Sequence, residues 1–528
     1  MLNIDFTRYP GARPSLRWEE PTAEQPAPTT RAAGAQTPRT EPSRSRETPA
    51  ARNPAPPTSD AGKLTRAQVV RRMGEPRHRR SFAGEDLSGV DLSRLELCGA
   101  DFVEVNLSGA NLRKTNLGGA DLRRASLIGA NLGKANLGIR PSLGMRLEGI
   151  AQGHPFRMAK SSAPQVGADL SGADLSNADL ASANLSGAKL IGANLDGAAM
   201  SRAFLVSALM TRASLIGADL SEMKASGVHL QEANLFRAYL DYADLSGAQL
   251  KGARLVAAFL KNAVLDRADL EGADLTEAHL EECSLPKAQL RGAKLFRARL
   301  VGADLQGACL EGANLKKANL VGADLTGADL READLSGANL TGAILRGANL
   351  AGAKLPDAHL DGAQFTEADL SDADLSEVQG WGVNMVDANL GRADLTRANL
   401  GRADLARALF VKANMLGIDL SGANLEGAVL SGCCLDRAAL PGACLNRTNL
   451  FEASFRRANL SEAYVQEVNL LETCMEGANL FGAHMQRTDF RGSRLAGANM
   501  TGANLSGAAL VRTEMAEVDL SNARNVPT

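Results

Sequence analysis

A large apolar residue stands at nearly every fifth position from Leu170 to Leu520, and a small residue usually stands two places before it. A period of five fits neither the 3.6-residue period of an α-helix nor the two-residue period of a strand. The chain must therefore turn a corner in every repeat, and long self-similarity of this kind is typical of a solenoid. The interval holds 71 repeats, and an earlier block from Phe82 to Leu137 adds 12, which makes 83.

The five positions of a repeat are named here after Ala168 (small), Asp169 (polar), Leu170 (centre), Ser171 (first bend) and Gly172 (second bend). Residues two apart on extended backbone point the same way, so the small and centre residues share the interior and the polar residue points outward. Glycine suits the second bend because a type II turn needs a positive φ there. Where Arg392 or Glu232 replaces glycine, we expect a type I or irregular turn.

The alternation of large and small residues predicts a narrow, filled tube. A centre Leu on each wall leaves room only for methyl-sized neighbours. Two repeats exchange the two sizes, since Met223 precedes Ala225 and Val378 precedes Gly380. Such exchanges conserve interior volume and should be tolerated, whereas a change from Ala to Leu at an ordinary small position should be severe.

The pentapeptides Ala-Asp-Leu-Ser-Gly, Ala-Asn-Leu-Asp-Gly and Ala-Asp-Leu-Thr-Arg are the signature of the pentapeptide-repeat family, which the sequence resembles over about 440 of its 528 residues. The resemblance implies an all-β solenoid, a right-handed quadrilateral β-helix with four repeats in each coil of twenty residues. On that basis 83 repeats make about 21 coils, and at roughly 4.8 Å per coil the rod is on the order of 100 Å long. The low aromatic content of 4% agrees with such a rod.

Composition divides the chain into six segments: a basic leader (1–61), a short basic helix with the approach to the repeats (62–80), a first repeat block (81–137), an insertion (138–167), the main repeat block (168–520) and a polar tail (521–528). We expect the leader to be disordered because it has few large apolar side chains. The first 80 residues carry 15 Lys or Arg and 8 Asp or Glu, a net of +7, which leaves −9 for the remainder. The helix, from Leu64 to Met73, should cap the first coil.

Two segments outside the repeats are candidates for binding, and each has a plainer interpretation. The first twenty residues are apolar enough for a docking peptide, or they form a loosely attached tail. The insertion is either a binding loop or a tolerated surface insertion. Its candidate contact residues are Arg140, Arg146, His154, Phe156 and Arg157. The polar tail is too short to cover the last coil, which permits end-to-end association of two chains.

The sequence predicts no catalytic, metal or cofactor site. His229, His279, His359 and His484 precede centre residues, but none lies twenty residues from another, and there is no Cys/His ligand spacing. The many Asp residues recur evenly instead of converging on a pocket, so we interpret them as turn and surface-ladder residues. Seven cysteines without a sensible pairing favour a reducing compartment. With no apolar signal segment and no 18-residue apolar run, we expect a cytoplasmic protein, and secretion without a signal segment is the alternative that would leave the same sequence.

One group of outward positions is unusually apolar for this surface. In successive coils, Ile216, Phe236, Val256, Thr276 and Phe296 follow centre residues, and Tyr239, Phe259, His279 and Arg299 precede the next centre residues. The two columns flank one corner, and together they are called the aromatic stripe. Contiguous exposed apolar area marks contact sites, although scattered exposed apolar residues can also align by chance.

A second surface feature is a basic belt at consecutive second bend positions, formed by Arg392, Arg397, Arg402 and Arg407. These residues would place positive charge on the four corners of one coil. Asp394 and Asp404 are close in sequence and would partly neutralise it. The belt is therefore either a contact surface or a set of solvated ion pairs.

Three functions fit these observations. The first is a non-enzymatic scaffold that presents binding surfaces to a protein partner of unknown identity. The second follows from the family, some members of which resemble DNA in shape and charge and act on DNA gyrase, but −9 is weak against one charge per roughly 1.7 Å of duplex. The third is an adaptor or cargo role, because the helix-then-repeat approach at Leu64 to Gly89 resembles pentapeptide proteins of type VI secretion. No small-molecule substrate is predicted, and the sequence argues against nucleic-acid binding.

Overall fold

The computed structural model describes residues 62–76, 79–138 and 167–527, which form one short α-helix followed by a four-sided β-helix. Polar residues twenty apart in sequence form parallel bridges, so each coil takes twenty residues. The bridge positions of the repeats run from Ser81 to Asn136 and from Asp169 to Arg524, one in every five residues. These 84 positions, four to a coil, make 21 coils. Within the described ranges each face contributes a single bridge residue, because a corner follows at once.

Backbone hydrogen bonds satisfy four of the five N–H groups in a repeat. Those of the centre and second bend residues donate to the following coil, that of the polar residue donates to the preceding coil, and that of the small residue closes the turn. The corresponding pairs are Leu170 to Lys189 (2.6 Å), Gly172 to Ile191 (2.9 Å), Lys189 to Ala168 (2.9 Å) and Ala173 to Leu170 (3.0 Å). Each coil is therefore bonded to both of its neighbours.

The fifth N–H, at the first bend, is satisfied by the polar residue. The Ser171 N–H donates to Asp169 Oδ1 over 3.1 Å, and the same pair recurs along the rod. At some corners where the polar residue is neither Asp nor Asn, an Asp at the first bend of the preceding coil accepts instead, as when the Trp381 N–H donates to Asp361 over 2.8 Å. The recurring Asp and Asn residues are thus turn acceptors.

The interior is filled by the centre and small residues, nearly all of which are fully buried. At the first size exchange, Met223 is 2% exposed and Ala225 is fully buried. A cavity of about 10 Å³ remains beside them, lined only by apolar side chains, among them Leu205 and Val228. This volume is at the lower limit for one water molecule, and the lining offers no polar partner.

The prediction for bends without glycine is wrong. Arg392 has a φ of 60° and Glu232 a φ of 56°, in the same left-handed region as the bend glycines. Both residues keep the inter-coil hydrogen bond of a glycine bend, to Val411 (2.9 Å) and Lys251 (3.0 Å). Because stacking fixes the path of every coil, the backbone accepts a left-handed conformation that costs about 1–2 kcal/mol.

Helix α1, Arg66–Met73, lies at the start of the rod. Thr65 caps its N-terminus in a capping box with Gln68, and Val69 is fully buried within the hydrophobic core. The Arg66 guanidinium donates to the carbonyls of Asp91 (2.7 Å) and Ser93 (2.9 Å) in the first coil. The predicted capping helix is therefore present, and it begins two residues later than expected.

The insertion leaves the rod at one corner without disturbing its register. Asn184 donates to Asn136 over 2.9 Å although the two are 48 residues apart instead of 20. The Ala168 N–H closes the turn on the Leu137 carbonyl over 2.7 Å, so Gly138 and Gly167 occupy the two bend positions. The predicted leader (1–61) and the candidate contacts Arg140, Arg146, His154, Phe156 and Arg157 lie outside the described residues.

The last coil leaves apolar centre residues partly exposed. Leu510, Met515 and Leu520 are only half-buried, unlike the centre residues before them. The ladder continues beyond the predicted block, because the Arg524 N–H still donates to the Ala503 carbonyl over 2.8 Å. The first part of the predicted polar tail is thus built into a coil, and end-to-end association stays a prediction.

Candidate interaction surface

The column of the aromatic stripe that begins at Tyr239 is a stack of rings. Tyr239 and Phe259 lie parallel, with ring centroids 5.0 Å apart and an interplanar angle of 7°. Phe259 and His279 follow at 4.8 Å and 30°. The parallel bridges between these residues hold the stack in place, since each ring stands on a ladder position. Tyr239 keeps 47% of its surface exposed, so the end of the stack faces solvent.

Charged groups close the other end of this column. Arg299 Nε lies 2.7 Å from Glu281 Oε1, and His279 Nδ1 lies 3.7 Å from the same oxygen. Glu281 is therefore shared by the last ring and the residue that follows it on the ladder. The column changes from aromatic to ionic over one coil, which defines the limit of the apolar surface.

The column of the stripe that begins at Ile216 combines apolar side chains with arginines. The guanidinium carbons of Arg237 and Arg254 both lie 5.2 Å from the Phe236 ring centroid. Arg297 lies 5.1 Å from the Phe296 centroid and also pairs with Glu277 over 3.6 Å. Ile216, at the other end of the column, is 38% exposed. This column also includes Val256 and Thr276. It is kept in register by hydrogen bonds in which the N–H of a second bend residue donates to the carbonyl of the first bend residue in the following coil.

The basic belt is neutralised by the preceding coil, and not chiefly by Asp394 and Asp404 as expected. Arg392 pairs with Asp372, Arg397 with Glu377 (3.5 Å) and Arg407 with Asp387 (2.5 Å), each twenty residues earlier. These hydrogen-bonded guanidinium groups lower the pKa of Asp372 and Asp387 below its usual value. The carboxylate of Asp394 instead accepts from the backbone and hydroxyl of Thr396.

Arg402 differs from the rest of the belt, because it stacks on Trp381 with 5.2 Å between its guanidinium carbon and the ring centroid. Trp381 is 49% exposed and was not among the predicted site residues. Its ring lies so close to Gly401 that a Cβ there would stand 2.5 Å from Cζ3. The sequence contained a signal for this contact: the first bend residue twenty positions after Trp381 is a glycine, Gly401, which leaves room for the ring.

One acidic cluster was also missed by the search for histidine ligands. Cys309, Glu311 and Asp329 bring ligand atoms within 4.8 Å of one another. Arg331 donates to Asp329 over 2.6 Å and to Glu311 over 3.0 Å, and Arg291 lies 2.7 Å from Glu311. Two guanidinium groups thus already balance the two carboxylates, which makes this an ion-pair network and not a set of open ligands.

These repeats define the class of protein. A family model described as "Pentapeptide repeats (8 copies)" matches thirteen stretches between residues 81 and 522, and the longest gap between them is 139–167. The matches cover more than half of the chain, and the chain belongs to the pentapeptide-repeat family. The predicted fold, a right-handed quadrilateral β-helix with a short helix before it, is confirmed. No curated protein sequence is similar enough to count as a match.

Solved structures of several pentapeptide-repeat proteins are similar to parts of the rod. HetL, involved in heterocyst differentiation regulation in the cyanobacterium Nostoc sp. strain PCC 7120, is 39% identical, with 40% of this chain and 88% of HetL covered and a TM-score of 0.28. A protein of the Arabidopsis thaliana thylakoid lumen is 29% identical (22% and 68% covered, TM-score 0.15). QnrB1, a plasmid-mediated fluoroquinolone resistance protein, is 16% identical (35% and 91% covered, TM-score 0.22).

The described residues also bear on membrane insertion. Among them, no helix has both the length and the apolar character needed to cross a bilayer.

Proposed function

We propose that this protein is a non-enzymatic scaffold that binds a partner protein through the aromatic stripe. The observation that carries the proposal is the ordered stack of Tyr239, Phe259 and His279 beside a column that contains Ile216 and Phe236. Most other outward positions are Asp, Asn, Ser, Arg or Gly. An apolar surface of several coils among such residues is of the kind that marks contact sites.

The rigidity of the stripe supports binding. Tyr239, Phe259 and His279 stand on ladder positions that hydrogen bonds hold in both directions, and the first bend residues beside them accept hydrogen bonds from the preceding coil. The backbone that carries the stripe therefore loses little conformational freedom when a partner binds. Tyr and Arg, which flank the stripe, are among the residues that most often dominate interface energies. The filled interior supports a role without catalysis, since ligand and active sites are normally concave.

The pairing of charges along the rod counts against imitation of DNA. Glu222, Glu232 and Glu271 each pair with an arginine or lysine twenty residues before them, at 2.9, 2.7 and 2.8 Å. Asp372 and Asp387 pair with arginines twenty residues after them. A surface that neutralises its carboxylates coil by coil lacks the continuous negative charge of a duplex.

A pull-down from a bacterial lysate with the full chain tests the proposal. We expect the wild type to retain a partner that the Phe259→Asp variant loses, because a carboxylate would stand within the ring stack. Phe481→Asp is the matched control, since Phe481 is an exposed aromatic residue (47%) outside the stripe. Both variants should keep the wild-type far-ultraviolet circular dichroism spectrum.

The identity of the captured protein separates the alternatives. DNA gyrase that Phe259→Asp still retains would favour imitation of DNA, and secretion components retained in the same way would favour the adaptor role. Equal capture by wild type and Phe259→Asp would refute the stripe as the contact surface.

A further inference from the structure

We infer that the segment bound by the stripe is an acidic peptide in which one or two carboxylates stand next to apolar side chains. Arg237 and Arg254, which lie around Phe236, would bind these carboxylates. This inference rests on the proposed function and specifies the chemistry of its partner. Both guanidinium carbons lie 5.2 Å from the Phe236 ring centroid. The two guanidinium carbons therefore lie within twice that distance of each other, and both arginines are exposed.

Neither arginine is paired with a carboxylate within the described ranges, whereas several other arginines of the rod are. Elsewhere an arginine at the second bend commonly pairs with an acidic residue twenty positions away, as Arg202 does with Glu222 (2.9 Å) and Arg297 with Glu277 (3.6 Å). The positions twenty before and after Arg237 are Gly217 and Ala257. The chain thus places an arginine there without the acidic neighbour that would neutralise it.

The acidic residues near the stripe are already engaged. Asp274, the ladder neighbour of Arg254, accepts from Thr276 (2.7 Å) and lies 3.8 Å from Lys294. Asp241 accepts the Lys261 N–H over 2.9 Å. Glu277 pairs with Arg297, and Glu281 pairs with Arg299. Around Phe236, two positive charges therefore remain to be matched by a ligand.

Stacking prepares these arginines for carboxylates. Contact with the ring restricts the side chain of each arginine, and a guanidinium can present two N–H groups to the two oxygens of a carboxylate. Ile216, Val256 and Tyr239 surround the pair with apolar surface suited to aromatic or aliphatic side chains. A nucleic acid fits less well, because Glu277 follows the stripe residue Thr276 and Glu281 lies against His279 and Arg299, and carboxylates at these places oppose a phosphate chain.

Selection from a phage-displayed library of random peptides tests the inference with the full-length protein. The library is selected on wild-type protein, and binders that also bind Phe259→Asp are discarded. We expect the remaining peptides to be enriched in Asp or Glu beside Trp, Tyr, Phe or Leu. A synthetic peptide from this set should bind the double variant Arg237→Gln/Arg254→Gln at least about tenfold more weakly than it binds the wild type, as measured by isothermal titration calorimetry.

Arg402→Gln is the matched control, because Arg402 also lies over an aromatic ring, that of Trp381, but is outside the stripe. This variant should bind the peptide as the wild type does, and the Gln version of the peptide should lose the preference for wild type over the double variant. Stripe-dependent peptides that are neutral or basic would overturn the inference and leave the proposed function standing. A selection that yields no stripe-dependent peptide would refute both.

Discussion

The exchange of sizes at Met223 and Ala225 allows a direct test of how the interior is packed. Three variants are needed: Met223→Ala, Ala225→Leu and the double variant, which restores the usual order of small and centre residues. Met223 is 2% exposed, Ala225 is fully buried, and the space left between them is only about 10 Å³. The two single variants therefore change the same small volume in opposite directions, and the double variant nearly restores it.

The expected costs follow from that volume. Met223→Ala removes a buried side chain and enlarges the cavity, which should destabilise the local coils by about 2–5 kcal/mol. Ala225→Leu adds three carbon atoms where little space exists and should cost about 1–3 kcal/mol. The double variant exchanges the two volumes and should stay within about 1.5 kcal/mol of the wild type. The two substitutions should thus be strongly coupled and not additive.

Native-state hydrogen exchange followed by mass spectrometry suits this test, because a long repeat array need not unfold as one unit. For peptides spanning residues 205–230, Met223→Ala should accelerate exchange by at least about 30-fold, since each 1.4 kcal/mol is a factor of ten. Peptides near residue 430 should exchange as in the wild type. Exchange in the double variant that equals the product of the two single effects would refute the idea that the interior conserves volume.

Two further predictions concern buried groups. Burial raises the pKa of Cys283 and Cys433 to about 12. Both thiols should therefore resist alkylation by iodoacetamide at pH 8, whereas the exposed Cys98 should react. Similar alkylation rates for the three cysteines, measured by mass spectrometry, would contradict this prediction. Because the folded thiols hold their protons more tightly than the unfolded ones, their contribution to stability is complete below about pH 8.5 and is lost as the pH rises toward 12. Gly167→Ala would bring a Cβ within 2.6 Å of a backbone carbonyl and should accelerate exchange in the adjoining coils, whereas Gly118→Ala, with no contact closer than 3.5 Å, should not.

The period of five predicted a chain that turns in every repeat around a filled interior, and the family resemblance supplied the four-sided coil. Residues twenty apart stack in such a coil, which predicted the alignment of the aromatic stripe. The period did not predict the conformation of bends such as Arg392. A single bend considered alone prefers a negative φ for arginine, but stacking on both sides imposes a φ of 60°. The conformation is a property of the rod and not of the pentapeptide.

The same register would have improved the prediction of charges. The belt was interpreted through residues close in sequence, whereas Arg407 pairs with Asp387, twenty positions away. The stacking of Arg237 and Arg254 on Phe236 could not be predicted, because it depends on side-chain rotamers that the repeat leaves free. Backbone register is encoded by spacing, but the direction of a long side chain is decided by its particular neighbours.

The corner formed by Gly138 and Gly167 shows that the length of sequence between two repeats is independent of the integrity of the rod. The turn across this gap is closed by the same hydrogen bond as an ordinary corner, and the Asn136 to Asn184 contact continues the ladder as though nothing intervened. A corner with two glycines therefore accommodates the extra residues 139–166 while the coils on either side keep their pairing. Variation in what such a protein presents need not be accompanied by any change in the framework that presents it.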